Sequence, residues 1–474
     1  MKICVVYPGY TPIKYEPSIN AISDNYGSYP SLSLGYTAAI MEMAGHKIKF
    51  IDVAALGLSM EETLKEVKQF HPDLIAFTIT TYLFHQSLAW INYIKENIPD
   101  VPILVGGVHV GIYPKEIFTH KSIDYGYMGE SEIYLNKFID ALEKGKSLKG
   151  LNNIIYRNSN STHITINNIG PVINDLNSTP FPARHLMPYD KYFSIISQRK
   201  NFTGLMSSRG CCHNCSFCEQ GNQKFRYRTA DSLLEEFKLC ADKFKVREID
   251  IFDSSFTIIK KRILEICDAL KKEDLDIEWS ARSRVDRVDK EMLKAMAEAK
   301  CKRIYYGVES GNQKILDKLR KDVTIQQIKD AIKNTKKAGI NTFGYFMIGS
   351  PGDTHETVKQ TIKFSKQLNL DYAQFNRVIP MTGTDMYKLY INEFKQDYWA
   401  KETVKEGSGG LLERPQTELT NEDVDKYAKK SYISFYFRPK YITKALLRIR
   451  SFEELKRNVK AGVDLLIKKE IKIE

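Results

Sequence analysis

The chain has 474 residues, more than one ordinary hydrophobic core can use, so two or three domains are expected. Hydrophobic residues make up 43% and charged residues 27%, which excludes a disordered chain, and no apolar run reaches bilayer-spanning length. A formal charge of +12 fits either a lysine-rich solvated surface or an anionic partner, such as a membrane face, a nucleic acid or a phosphorylated substrate; no arginine-aromatic nucleic-acid module is visible, so nucleic acid is not expected.

The N-terminus runs straight into a strand pattern, Lys2 to Tyr7, without the apolar region and small-residue cleavage site of a secretory signal. Strand and helix patterns then alternate. A helix over Leu34–Met41 ends at Gly45, and Lys47–Val53 is a strand. Glu61–Phe70 is helical, Leu74–Thr80 is a β-branched strand run, and His85–Ile98 is helical. Pro102–Val105 leads into Gly106-Gly107, and Ile123–Tyr127 leads into Gly129-Glu130. Apolar strands alternating with helices predict a parallel, doubly wound, Rossmann-like sheet whose ligands sit at the strand carboxyl ends. No GxGxxG follows the first strand, which speaks against a dinucleotide.

Three pieces of this segment carry a family likeness: Pro30-Ser31-Leu32-Ser33-Leu34-Gly35, then Gly106-Gly107-Val108-His109, then Asp124 to Glu130. On these it resembles a cobalamin-binding domain. The resemblance implies that Thr80, Gly106, Gly107, His109, Gly129 and Glu130 border the cofactor, with glycine backbone able to approach the flat corrin. No His here has an Asp two before it and a Gly three after, so a corrin without a protein histidine ligand is implied. His109 is read as a polar loop residue bonded to backbone rather than as a cobalt ligand. The domain is expected over 1–147.

Residues 148–197 change character. Ile154–Arg157 and His163–Ile166 flank a polar Asn-Ser turn, a hairpin pattern, and Thr179-Pro180-Phe181-Pro182 breaks regular structure, so a connector is expected.

Next comes Cys211-Cys212-His213-Asn214-Cys215-Ser216-Phe217-Cys218, a CxxxCxxC array of Cys211, Cys215 and Cys218. A four-iron cluster held wholly by protein takes four thiolates; three thiolates leave one iron open to a ligand. A structural zinc site usually pairs two CxxC knuckles, and no second knuckle follows, although Cys212 or His213 stands close enough in sequence to supply a fourth ligand. A disulfide needs an oxidising compartment. Cys4, Cys240, Cys267 and Cys301 lie scattered in apolar or helical contexts and read as buried free thiols, which points to the reducing cytoplasm.

CxxxCxxC with an aromatic, Phe217, before the last Cys resembles the signature of the radical S-adenosylmethionine (SAM) enzymes. The resemblance implies a 4Fe-4S cluster on Cys211, Cys215 and Cys218, SAM bound at the open iron, and one-electron cleavage of SAM to methionine and a 5′-deoxyadenosyl radical. It also implies a flavodoxin- or ferredoxin-type reductant.

From Phe202 the strand-helix rhythm resumes. Strands are expected near Phe202 and over Glu248–Phe252, Ile277–Ala281, Arg303–Val308, Thr342–Ile348 and Tyr372–Val378. Helices are expected over Thr229–Phe244, Lys260–Lys271, Lys290–Ala299, near Gln313, and over Thr324–Ala338 and Thr354–Leu368. Six strands in this order fit the partial (β/α)6 barrel of the family, with its site at the strand carboxyl ends. There Glu309 matches the glutamate that binds the SAM ribose region, and Arg284 is a candidate for an anionic group of SAM or substrate, or for a salt bridge at the barrel rim. Asp353 stands where Glu is common in the family, and Lys300 where Gly often precedes the residue at Cys301.

The barrel is expected over 198–390 and a helical C-terminal domain over 391–474. The aromatic run Ser431–Pro439, the basic Lys440, Lys444, Arg448 and Arg450, and a helix over Phe452–Lys469 suggest either a cap on the barrel or peripheral contact with an anionic membrane. The two resemblances together imply an α/β enzyme that uses SAM, a 4Fe-4S cluster and cobalamin to methylate an unactivated carbon of a small-molecule or lipid-like substrate. The alternatives are a cyclase or oxidase without methyl transfer and, from another class, a metal-stapled binding protein. A methylthiotransferase is disfavoured because the first domain carries only Cys4.

Overall fold

The computed structural model describes residues 1–9, 27–157, 163–197, 199 and 201–448. The chain divides into two compact units. Among the described residues, one gathers 1–9, 28–157, 163–192 and 397–411; the other gathers 27, 193–197, 199, 201–396 and 412–448.

The first unit is built on strands β1 (Lys2–Tyr7), β2 (Lys47–Asp52), β3 (Leu74–Thr78), β4 (Ile103–Gly106), β5 (Tyr125–Tyr127), β6 (Ile154–Arg157) and β7 (Ile164–Ile166), in the spatial order β2-β1-β3-β4-β5-β6-β7. Ile3 to Val6 are all fully buried, as a strand covered on both faces must be, and this accounts for an apolar run without alternation. The first five strands are parallel, and their order reverses between β1 and β3, a topological switch point. The hairpin expected in the connector forms as β6 and β7 and joins the sheet antiparallel to β5; its turn, 158–162, lies outside the described residues.

A helix remote in sequence, Tyr398–Val404, also belongs to this unit. Three histidines hold it. His85 Nε2 donates to the Glu402 carbonyl at 2.5 Å, His120 Nε2 donates to the Thr403 carbonyl at 2.7 Å, and His109 Nε2 stands 3.2 Å from the Thr403 hydroxyl. Tyr113 closes the clasp by donating to Asp397 at 2.7 Å.

The second unit carries six parallel strands in consecutive order: β8 (Phe202–Leu205), β11 (Glu248–Ile251), β12 (Glu278–Ser283), β13 (Cys301–Glu309), β14 (Asn341–Ile348) and β15 (Tyr372–Arg377). Between β8 and β11, the short strands β9 (Ser208–Arg209) and β10 (Arg226–Tyr227) form a separate hairpin. Consecutive parallel order with helical crossovers is the partial barrel. On β13, Ile304, Tyr306 and Val308 enter the core that the helices cover, leaving Arg303, Tyr305, Gly307 and Glu309 on the opposite face. Lys300, just before β13, has φ of 67°, a left-handed conformation that glycine adopts without strain. The edge strand β15 is covered by helix Asn421–Tyr436, whose Tyr432 and Tyr436 hydroxyls accept from the Phe375 and Ala373 amides at 3.2 and 3.0 Å.

The C-terminal stretch does not form one block of helix. Asp385–Phe394, Tyr398–Val404, Asn421–Tyr436 and Pro439–Arg448 are helical, and the helix expected over Phe452–Lys469 lies outside the described residues, as does Arg450. No helix among the described residues is long and apolar enough to cross a membrane.

Candidate active site

The cysteine array sits at the tip of the β9–β10 hairpin, beyond the carboxyl end of β8. The base is pinned by Asp253, which follows β11. Its carboxylate accepts from the Ser207 and Ser208 amides at 2.7 and 3.0 Å and from both hydroxyls at 2.5 and 2.7 Å. Within the loop the Asn222 amide donates to the His213 carbonyl, and the Gln223 amide donates to the Cys211 carbonyl. The far side is tied down by Ser216, whose amide donates to Leu319 and whose carbonyl accepts from Met386. Phe217 packs with Ile315, Leu319, Val378 and Met386, so its ring anchors the loop to the barrel wall.

Cys211, Cys215 and Cys218 are free thiols, as are the other five cysteines; Cys212 points to solvent. Burial pushes the Cys211 and Cys218 thiols up, and charge on the neighbouring cysteines pushes them further; the His213 and Gln220 backbone amides oppose this. Thiols that resist ionisation together suit a centre whose metal drives the deprotonation. Among the described residues no three His, Cys, Asp or Glu side chains are grouped as ligands of one ion. A cubane takes one thiolate on each of several irons, so its ligands need not crowd around a single ion; Cys211, Cys215 and Cys218 lie close enough for the charge of one to act on another.

Two cations brace the loop, and sequence reasoning found only one of them. Arg284, after β12, donates through Nε and Nη2 to Asp286 at 2.8 and 3.3 Å, through Nη2 to the Lys321 carbonyl at 2.6 Å, and through Nη1 to the Cys215 sulfur at 3.6 Å. Its fork is therefore taken up inside the protein. Lys321 places Nζ 2.8 Å from Glu309 Oε1 and 5.8 Å from the centre of the Phe217 ring. Lys321 carries no motif in sequence; only the fold brings it to the cluster loop. Glu309 ends β13 with φ of 62° beside a register shift, a strained backbone of the kind kept at functional sites. A Cβ on Gly307 would lie 2.3 Å from Glu309 Oε1 and 2.6 Å from Lys321 Nζ, so glycine leaves room for the pair. Asp353, after β14, accepts from the Gly349 and Ser350 amides at 3.1 and 2.9 Å, fixing the turn that follows the strand.

In the first unit, Thr80, Gly106, Gly107, Gly129 and Glu130 all lie at the carboxyl ends of β3, β4 and β5. Thr80, Val108 and Gly129 are exposed there, an open edge with an apolar side chain in it. Gly107 has φ of 104°, and a Cβ there would lie 2.3 Å from the Ile79 carbonyl, so glycine is required by the close approach of β3 and β4 themselves. An open strand-end edge at a switch point, with bare backbone in it, fits a broad cofactor. His109 is not the loop residue bonded to backbone that the sequence suggests: it lies in the short helix Val108–Ile112 and meets side-chain hydroxyls. It is fully buried, its Nδ1 is 3.0 Å from the Thr81 hydroxyl, and its Nε2 meets Thr403. Burial first, and the nearby His85 second, lower its pKa to about 3.

Comparison with known proteins identifies the class of both domains. Residues 205–365 match the radical SAM superfamily, and residues 22–138 match the B12 binding domain. The chain is 34% identical over 459 residues to an uncharacterized methyltransferase of Pyrococcus horikoshii, covering 95% of this chain and 96% of that one. It is 25% identical over 401 residues to the anaerobic magnesium-protoporphyrin IX monomethyl ester cyclase of Rubrivivax gelatinosus, covering 82% and 70%. The solved structure of the radical SAM methyltransferase TsrM of Kitasatospora setae, with cobalamin and a 4Fe-4S cluster bound, shares the fold: the TM-score is 0.72 over 98% of this chain and 99% of that one, at 14% identity.

The chain therefore belongs to the radical SAM enzymes that carry a B12-binding domain ahead of the radical SAM domain. Its cofactors are SAM, a 4Fe-4S cluster and cobalamin. As a member of that class it acts with a reductant on a small-molecule substrate.

Proposed function

We propose that this enzyme transfers a methyl group to an unactivated carbon. The observation that carries the reading is end-to-end likeness, at 34% identity, to an uncharacterized methyltransferase, together with this chain's own B12-binding and radical SAM matches. When bound, the cluster supplies the electron that cleaves SAM, and cobalamin supplies a methyl carrier. The chain's own part is to hold and orient. Cys211, Cys215 and Cys218 ligate the cluster, and Phe217 fixes their loop to the barrel wall. Glu309 offers carboxylate oxygens to the ribose hydroxyls of SAM, with Lys321 steadying one of them. Thr80, Gly106, Gly107, Gly129 and Glu130 border the corrin, while His109 belongs to the helix clasp and stands behind that edge rather than in it.

The domain plan that accompanies this reading is a cobalamin-binding domain over 1–147, a connector over 148–197, a barrel over 198–390 and a helical tail over 391–474. A flavodoxin- or ferredoxin-type carrier delivers the electron, in the reducing cytoplasm. The substrate is a small or lipid-like molecule, and the basic C-terminal helix Pro439–Arg448 offers a peripheral contact with an anionic membrane.

A second reading keeps the radical chemistry without methyl transfer, on the strength of the cyclase likeness. Anaerobic turnover with SAM carrying a deuterated methyl group separates the two. A product that gains the labelled methyl supports methylation; a product altered in mass without label, alongside 5′-deoxyadenosine, assigns the cyclase or oxidase reading instead.

A further inference from the structure

The three cluster cysteines are not equivalent. Cys211 and Cys218 receive neutral backbone donors, the amides of His213 and Gln220. Cys215 receives a charged one: Arg284 Nη1 donates to its sulfur at 3.6 Å. Sulfur is a weak acceptor when neutral, but a guanidinium facing a thiolate makes a charge-assisted bond. The donor is also held rigidly. Arg284 is 6% exposed in its side chain, both Nε and Nη2 lie on Asp286, and Nη2 also reaches the Lys321 carbonyl. Swinging the fork toward a soluble anion would cost all of these bonds, so the arginine is built to face the loop.

From this we propose that Arg284 is a positioning residue that sets the reduction potential of the cluster by its bond to the Cys215 thiolate; the proposal rests on the reading of Cys215 as a cluster ligand. Reduction adds negative charge to the cluster. A fixed cation and a hydrogen bond to one ligand sulfur favour the more negative state and raise the potential. Asp286 orients the guanidinium and tempers its charge, so the pair gives a controlled rather than a maximal shift.

The test is an anaerobic redox titration followed by electron paramagnetic resonance, on reconstituted wild type, R284Q and R284K, with iron and sulfide assayed on each. R284Q is expected to keep its iron and to be harder to reduce by about tenfold, which is ~59 mV for a one-electron couple. R284K keeps a cation but loses the fork, and is expected to fall between the two. R284Q with full iron and an unchanged midpoint overturns the proposal while leaving the cluster assignment intact. Wild type that takes up no cluster overturns both. Should R284Q fail to assemble, wild type grown with nitrogen-15 arginine decides: hyperfine coupling of the reduced cluster to that nitrogen supports the bond, and its absence overturns it.

Discussion

Lys321 and Glu309 show how much the site asks of single side chains. Their side chains are 7% and 8% exposed and meet at 2.8 Å. Removing one partner of such a pair leaves the other charge buried alone, which costs about 3–5 kcal/mol. Lys321→Met should therefore lower the denaturation midpoint of the cluster-free protein by that order, read by urea titration at constant slope. The paired variant Lys321→Met, Glu309→Gln should recover much of the loss, because no lone charge remains; a double variant no more stable than the single would show that the two charges are not coupled. Gly307 makes the same point from the backbone. A methyl group there meets both charged atoms at less than 3 Å, so Gly307→Ala should weaken SAM binding, measured by equilibrium dialysis, even where the fold survives.

At the scale of elements, two devices fasten segments remote in sequence onto their unit. Strand β15 would present unpaired amides, an invitation to edge-to-edge association. Instead, Tyr436 accepts from the Ala373 amide and donates to its carbonyl at 2.7 Å, and Tyr432 accepts from Phe375. Removing both hydroxyls by Phe substitution strips partners from buried backbone groups at about 1–3 kcal/mol each. The doubly substituted protein should show a lower midpoint and concentration-dependent light scattering; a midpoint matching wild type would mean water or another group serves those amides. The histidine clasp on Tyr398–Val404 works through protonation. Folded His109 is neutral down to about 3, whereas a free histidine titrates near ~6.5. Burial likewise lowers His120, with the Thr403 carbonyl opposing and His85 and Arg157 adding to the shift. The undocked state therefore binds protons the docked state refuses, so the clasp is at full strength above pH ~6.5 and weakens progressively as pH falls toward 3. Hydrogen exchange of the 398–404 amides, corrected for the intrinsic pH dependence, should rise across that window; flat protection would show the clasp to be indifferent to charge. These devices also mark where sequence reading stops. The parallel strands were legible because double burial leaves continuous apolar runs, and Cys211, Cys215 and Cys218 because their chemistry needs close spacing. The edge-capping tyrosines and Lys321 were not, since each meets its partner only through the fold and leaves no local period. His109 was legible as a residue but not in its role, because its partner Thr403 lies in a helix far along the chain.

For the molecule as a whole, the charge of +12 is the property that residue-by-residue reading leaves unused. Part of it is local. Lys329, Lys333, Lys336 and Lys337 line a shallow hollow of about 420 Å³ at the carboxyl end of helix Ile325–Lys337, where cations complement the helix carbonyls, and Asp371 neutralises Lys336 at 2.9 Å. The remainder acts at a distance. A basic protein attracts an acidic one before contact, and the attraction is screened as the Debye length shrinks from ~30 Å at about 0.01 M to ~8 Å at about 0.15 M ionic strength. If an acidic protein carrier delivers the electron, its second-order rate of cluster reduction should fall about tenfold or more across that range, as steered encounters do. An uncharged small-molecule reductant, measured alongside, should show little change, because it feels no net steering. Stopped-flow reduction of the reconstituted enzyme by each donor gives the comparison directly. Equal salt sensitivity for both donors would assign the effect to the cluster itself, and a carrier rate independent of salt would show that the surplus charge serves the substrate or an anionic surface rather than the electron donor.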